Sequence, residues 1–507
     1  MSYMSWQYIL ATLALISVMP VVRAEVRLPS VLASHMVIQR DKPVHIWGDA
    51  YPGEQVTVRF RGQEGTAVAN DLGRWSVYLP PEGAGGPFSL IIEGKNTITL
   101  TDVLVGDIWI ASGQSNMEMP MMKTHFWRGV LNSQQEIDAA NYPQLRLYHV
   151  KHATSDYPMS DAAAETWTAC TPQSVANFSG TAYFFGRELL KMEKVPIGLI
   201  ETDWGGTPAE AWTSLGALAS DSSLMPVFAA QAHMEQNEAT TMFRLRVKRE
   251  AQESAKTEGS TLPADVPHRS PDFRAPAALF NAMVMPLTPL PIRGVIWDQG
   301  ASNSDPDRAF LYSRLFPALI QDWRRHWAQG NFPFIFVQLA NFSCKGVWAT
   351  SDWPTVRESQ RKTLSLVDTG MAVTIDVGDS NNVHPRDKQD VGHRLALWAR
   401  VLAYGEHIED SGPLFRQAVP EGQSIRIWFT HTGGGLVAKG GELRSFEVAG
   451  ADGKFRPAAA KVDGTTVIVS SAAVRAPVYV RYGWSPDPKC NLYNTEGLPA
   501  SPFTSQD

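Results

Sequence analysis

This sequence predicts an α/β protein organised around a parallel sheet, with a β-module on either side, and three observations predict it. Apolar runs of strand length recur from Val103 onward without polar alternation, as strands buried on both faces require. Amphipathic helical stretches separate those runs, and parallel strands need such crossovers. Before and after this region the pattern changes to short alternating strands punctuated by turns, the mark of antiparallel structure. At 507 residues the chain also exceeds what one hydrophobic core usually organises.

In chain order, Tyr8 to Val22 is a single apolar stretch that ends in Val22, Arg23 and Ala24, with small or aliphatic residues, Val22 and Ala24, at the positions a signal peptidase reads. Residues 1–24 are therefore expected to be a secretory signal, with the mature chain periplasmic or secreted. The competing reading is an uncleaved anchor, for which the run is short. In "GEQVTVRF" Val56, Val58 and Phe60 alternate onto one face, and in "RWSVYL" so do Trp75, Val77 and Leu79, with the turn signal "NDLG" between them. Residues 25–102 are expected to form a β-sandwich-like domain.

"VLVGDIWIAS" (103–112) opens the parallel sheet, "GTAYFFGRELLKM" is an amphipathic helix, and "VPIGLIETDWGG" is the next strand, running into a glycine turn. "IRGVIWDQGASN", "FPFIFVQLA" and "GMAVTIDVGD" are further strands, and "PRDKQDVGHRLALWARVLAYG" is a long closing helix, so the α/β domain spans 103–410. Within it, 215–278 reads as a charged insertion, with "MFRLRVKREAQESAK" helical, "TEGSTLPADVPHRSPD" a loop, and the basic run Arg244–Arg249 a solvated face. From 411 to 507, "SIRIWFTH", "RSFEVAG", "TTVIVSS" and "PVYVRYGW" form a C-terminal β-module.

The net charge of −6 argues against general nucleic-acid binding, which needs a basic excess. Cys170, Cys344 and Cys490 lack metal-ligand spacing and make either one disulfide with a free thiol or three buried thiols. No group of His, Cys, Asp and Glu has the spacing of a zinc or di-metal site, so no metal is expected.

Four strand ends carry polar residues, and in a parallel sheet ligands gather at the carboxyl ends of strands. The first is Gly113-Gln114-Ser115-Asn116-Met117, where Ser115 is a nucleophile if a base takes its proton, and a helix cap otherwise. Met117 stands where the G-x-S-x-G elbow has glycine, which disfavours the α/β-hydrolase fold. The second end offers the Gly205 and Gly206 N–H groups to a carbonyl oxygen, and the third offers the side-chain amides of Gln299 and Asn303. The fourth brings His384, with Asp376 and Asp379 just before it; a carboxylate beside an imidazole fixes its tautomer and stabilises the imidazolium.

The blocks "GQSNMEMP", "WGGTPAEAW", "ALFNAMVMPL", "IRGVIWDQGASN" and "NNVHPRDKQDVGHRLALWA" resemble, in this order, the SGNH hydrolases, and specifically the bacterial carbohydrate O-acetylesterases of the sialate O-acetylesterase type. The likeness extends to "LPSVLASHMVIQRDKPVHIWG" and "NLYNTEGLPASPF", so it covers nearly the whole mature chain. It implies a three-layer α/β/α SGNH (flavodoxin-like) domain flanked by β-modules. That domain would release acetate from O-acetylated sialic acid or plant polysaccharide through an acyl-enzyme, with no cofactor, no nucleic acid and no membrane after signal cleavage.

By the same resemblance, Ser115 is the nucleophile and His384 the general base. The oxyanion donors are the N–H groups of Ser115 and of Gly205 or Gly206, with an amide from Gln299 or Asn303. Gln114, Trp127, Trp204 and Trp212 are the expected substrate-binding residues, with Trp348 a further aromatic for a sugar cleft. Arg128, Arg357 and Lys345 are the cations that could meet a sugar carboxylate. Two positions depart from the family pattern: Ala301 replaces the glutamate of QGES, and Asp298 replaces an aromatic residue. The acid behind His384 is therefore expected to be Asp379, with Asp376 as alternative and Asp298 a weaker substitute. Many SGNH hydrolases place an aspartate three residues before the histidine, where this chain has Asn381. The alternative function is a catalytically degenerate glycan-binding protein.

Overall fold

The computed structural model describes residues 25–229 and 272–506. The expected signal, residues 1–24, and most of the charged insertion, including Arg244–Arg249, lie outside the described residues.

The first strands are Val37–Gln39 (β1), Val44–Asp49 (β2), Gln55–Phe60 (β3), Gln63–Val68 (β4), Arg74–Leu79 (β5) and Gly85–Glu93 (β6). The alternation read from the sequence is the burial pattern here: Val56, Val58 and Phe60, and Trp75, Val77 and Leu79, all point into the core. Strand Thr97–Gly113 (β7) then runs for 17 residues. Its first half pairs with β6 and β1, and its second half lies in the central sheet between two other strands. The expected boundary at 102/103 thus falls inside one continuous strand.

The central sheet is completed by Tyr142–His149 (β8), Thr168–Cys170 (β9), Ile197–Asp203 (β10), Gly294–Asp298 (β11), Phe334–Val337 (β12) and Thr369–Ala372 (β13). Their order is β13-β12-β11-β7-β10-β8-β9, parallel throughout except for β9 at the edge. β10 and β11 are buried along their whole length; apolar residues open each strand, and buried Glu201, Asp203 and Asp298 lie toward their carboxyl ends. Two packed helix pairs cover the sheet, Gly180–Glu193 with Lys388–Tyr404, and Tyr312–Trp327 with Trp353–Thr363. A Cβ at Gly392 would meet Phe184 and the Phe185 N–H at 2.6 and 2.7 Å, so glycine is what lets the first pair close. The fold is α/β.

After β7 the chain builds β8 and β10 on one side of it and then crosses to β11, β12 and β13 on the other. That reversal makes the carboxyl end of β7 a topological switch point, where such sheets open a crevice. The C-terminal strands, among them Ser424–Thr430, Phe446–Ala449, Thr466–Ser470 and Tyr479–Tyr482, close around a second core of Ile425, Ile427, Val448, Val467, Val480 and Phe503. Buried Arg357 joins this module to the sheet by donating to the carbonyls of Leu339, Ala340, Ser485 and Pro486. It is a structural cation, not one that faces a ligand. The three cysteines are free thiols, and burial pushes Cys170 up to about 12 and Cys344 and Cys490 to about 11.

Candidate active site

Gly113 ends β7 at φ +140°, and a Cβ there would lie 2.2 Å from the Asp298 carbonyl, so only glycine allows β7 to turn this close to β11. The turn delivers Ser115 as the first residue of the short helix Ser115–Glu118. A first-turn N–H has no acceptor within its own helix, so the Ser115 amide is available as a donor at the start of the helix.

Across the crevice, His384 sits in the loop between β13 and helix Lys388–Tyr404, and its Nε2 is 2.9 Å from Ser115 Oγ. Asn116 holds the two loops together: its Nδ2 donates to the Val383 carbonyl at 3.1 Å, and its Oδ1 accepts from Lys388 Nζ at 2.8 Å. Burial, then the positive charge of Lys388, pushes the His384 imidazole down to about 4. At neutral pH the ring is uncharged and able to accept a proton. Lys388 is itself pushed down to about 8 by burial, which the charge of Asp298 opposes, and Asp298 is pushed up to about 6 by its own burial.

The two carboxylates expected behind His384 are engaged elsewhere. Asp379 pairs with Arg128 at 2.9 Å and accepts the Asn381 N–H, and these contacts hold its carboxyl below the usual range. Asp376 makes a two-pronged pair with Arg394 at 2.6 and 3.0 Å. Among the described residues neither carboxylate is hydrogen-bonded to His384. The physical reason is competition: a guanidinium within reach outbids a neutral imidazole for a carboxylate.

The glycine turn after β10 divides into two unequal halves. Gly205 lies beside the nucleophile, since a Cβ there would be 3.3 Å from that of Ser115, but its N–H donates to Glu118 Oε2 at 2.5 Å. Gly206, at φ +76° with open space beside it, has no such partner among the described residues. The third block differs from its expected role. Gln299 donates to the Thr207 carbonyl and to Asn303 Oδ1, and Asn303 donates to Glu210, all in a buried network. These amides brace the turn from behind. Gln114, expected to touch substrate, is also buried and clamps the turn after β11, accepting from the Gly300 and Ser302 N–H groups and donating to Ser302 Oγ. Ala301 is buried within that turn.

Of the aromatic residues, half-buried Trp127 stands edge-on to His384 with centroids 5.1 Å apart. Trp204 is stacked on His152 at 4.2 Å and on Phe273 at 5.0 Å. Trp212 corrects the expectation: it is fully buried, its Nε1 donates to Thr207 Oγ1, and it belongs to the core. Trp348 packs edge-on to Trp353 and Phe342. Arg128 is committed to Asp379, and Lys345 is exposed.

Sequence reasoning passed over Asn116 and Lys388, although both lie inside the quoted blocks. It also passed over a group at the β10 end. There Asp203 is 1% exposed and, among the described residues, has no hydrogen-bond partner for either carboxylate oxygen, near Glu118 and His152. Burial and the neighbouring Glu201 push Asp203 well above the usual carboxylate range, burial pushes Glu201 to about 8, and burial also raises Glu118.

The model of the family "Carbohydrate esterase, sialic acid-specific acetylesterase" matches residues 105–243 and 274–399. The sialate O-acetylesterase of Mus musculus is 32% identical over 95% of this chain and 94% of its own length, and that of Homo sapiens is 31% identical over 94% and 92%. The crystal structure of a carbohydrate acetylesterase from Xanthomonas citri superposes with a TM-score of 0.80 at 38% identity, covering 94% of this chain and 99% of that one. The chain belongs to the sialic acid-specific acetylesterase family of carbohydrate esterases.

Proposed function

We propose that this protein hydrolyses acetyl esters on carbohydrates with Ser115 and His384 working as a pair. The observation that carries the reading is the 2.9 Å contact between Ser115 Oγ and His384 Nε2 at the switch point of the sheet. As the hydroxyl attacks the acetyl carbon, His384 Nε2 takes its proton. The oxyanion lies against the N–H groups of Ser115 and Gly206, each worth about 3 kcal/mol of barrier by the usual cost of deleting such a donor. Collapse of the intermediate returns the proton to the departing sugar alcohol and leaves acetyl-Ser115. A water, deprotonated by the same ring, then releases acetate.

No carboxylate is assigned to the second ring nitrogen in this scheme. Asn116 and Lys388 orient the histidine loop instead, and burial keeps the ring neutral. The names of the relatives support an O-acetylated sialic acid or another O-acetylated sugar as substrate, with Trp127 beside the reacting atoms as a platform for it. Gly205 joins the oxyanion donors when Glu118 lets go of its N–H. The apolar segment Tyr8 to Val22 supports export of the enzyme to where such glycans occur.

Acetate release from 4-nitrophenyl acetate, O-acetyl sialic acids, acetylated xylan and xyloglucan oligosaccharides tests the proposal. Turnover on at least one sugar ester, abolished in Ser115→Ala and in His384→Ala, is the expected result. Turnover that survives Ser115→Ala, or its absence on every ester, overturns it.

A further inference from the structure

The end of β10 carries more carboxyl groups than the ester chemistry uses. Glu201 and Asp203 lie two apart on one strand and so share a face, and both are buried. Glu201 accepts the Ser179 N–H at 3.0 Å, whereas Asp203 has no partner among the described residues on either oxygen. Among the described residues, no lysine or arginine pairs with Glu118, Glu201 or Asp203. A fully buried, unpartnered carboxyl is costly and calls for a missing partner.

Two further side chains converge on Asp203. Glu118 reaches it from the nucleophile helix and His152 from the segment after β8, and one ligand atom from each of the three lies within 4.8 Å of the others. His152 Nε2 is 3.7 Å from Glu118 Oε1, and its side chain, stacked on Trp204, is partly exposed, which leaves the group open to solvent on that side. We propose that Glu118, His152 and Asp203 form a binding site for a first-row divalent cation next to the nucleophile. Two carboxylates and one imidazole are a donor set that suits Zn²⁺ or Mn²⁺, with water completing the coordination. Metal–ligand bonds of about 2.0–2.2 Å require the three atoms to draw together, with Glu118 giving up its bond to the Gly205 N–H. The ion supplies the countercharge that Asp203 lacks.

Occupancy also reaches the ester site. Glu118 Oε2 now holds the Gly205 N–H, and a cation that draws Glu118 away releases that N–H beside Ser115. This consequence rests on the esterase reading; the binding does not, and it is measured without ester.

Untagged protein, stripped with EDTA and desalted, is titrated with ZnCl₂ by isothermal calorimetry. The expected result is one saturable equivalent, with affinity falling at least tenfold in both His152→Gln and Asp203→Asn. His152→Gln alters an exposed side chain and keeps the test valid if Asp203→Asn folds poorly. The absence of one-equivalent binding, or wild-type affinity in either folded variant, overturns the proposal and leaves Asp203 as a buried protonated acid.

Discussion

Replacing Asp379 by asparagine separates two accounts of the base by three orders of magnitude. If Asp379 oriented His384 as a triad aspartate, the substitution would present the wrong hydrogen-bonding partner to the ring and cost about 10⁴ in kcat. The structure gives it different contacts. Its carboxylate pairs with exposed Arg128 at 2.9 Å, and its Oδ1 accepts the Asn381 N–H at 2.9 Å. An exposed ion pair is worth about 0.2–1 kcal/mol, and an asparagine oxygen still accepts the N–H, so the loop keeps its shape. Even if all of that energy were lost from the transition state, kcat would fall by less than about sixfold, because 1.4 kcal/mol is tenfold. Initial rates with 4-nitrophenyl acetate, beside far-UV circular dichroism to verify folding, read the difference directly. A drop of 10³ or more in a folded Asp379→Asn enzyme would refute the pair and require the loop to swing Asp379 onto His384 when substrate binds.

The pH profile carries the second prediction: His384 must be neutral to act as base, so kcat/KM should fall as pH drops through about 4, well below the ordinary histidine range. Lys388→Met removes a positive charge that disfavours the imidazolium, so the same limb should move upward, though only part of the way because burial is the larger cause. Asn116→Ala strips the acceptor from buried Lys388 and the donor from the Val383 carbonyl; it should lower stability by about 1–3 kcal/mol in urea denaturation and reduce kcat. Trp212→Phe should lower stability and leave KM unchanged, since it deletes a buried hydrogen bond to Thr207 and core volume away from the reacting atoms, whereas Trp127→Ala should raise KM for sugar esters.

The parallel sheet was legible because burial on two faces leaves its mark in every residue of a strand. Unbroken apolar runs around Trp109, Leu199 and Ile296 admit few other readings, and the alternation of Val56, Val58 and Phe60 marks a half-buried strand just as directly. The extent of β7 was not legible. A strand that alternates in its first half and is fully buried in its second reads as two elements, although the backbone does not break. Ser115 and His384 could be named because each follows a strand, and the sheet order then brings them to one crevice.

The sequence by itself determined the fold class, the order of the strands along the chain and the residue types that reach the carboxyl edge of the sheet. Tertiary structure alone decided which of those residues meet. Gln299 and Asn303 sit at the predicted strand end, but their amides turn inward to Thr207 and Glu210. Asp379 is close to His384 in sequence and is bound instead to Arg128, which lies 251 positions away. Asp203, Glu118 and His152 come from three segments with no shared motif. Periodicity records what a side chain is buried in, because burial acts on each residue separately. A hydrogen bond or ion pair is won by whichever partner arrives closest, and only the folded chain fixes those distances.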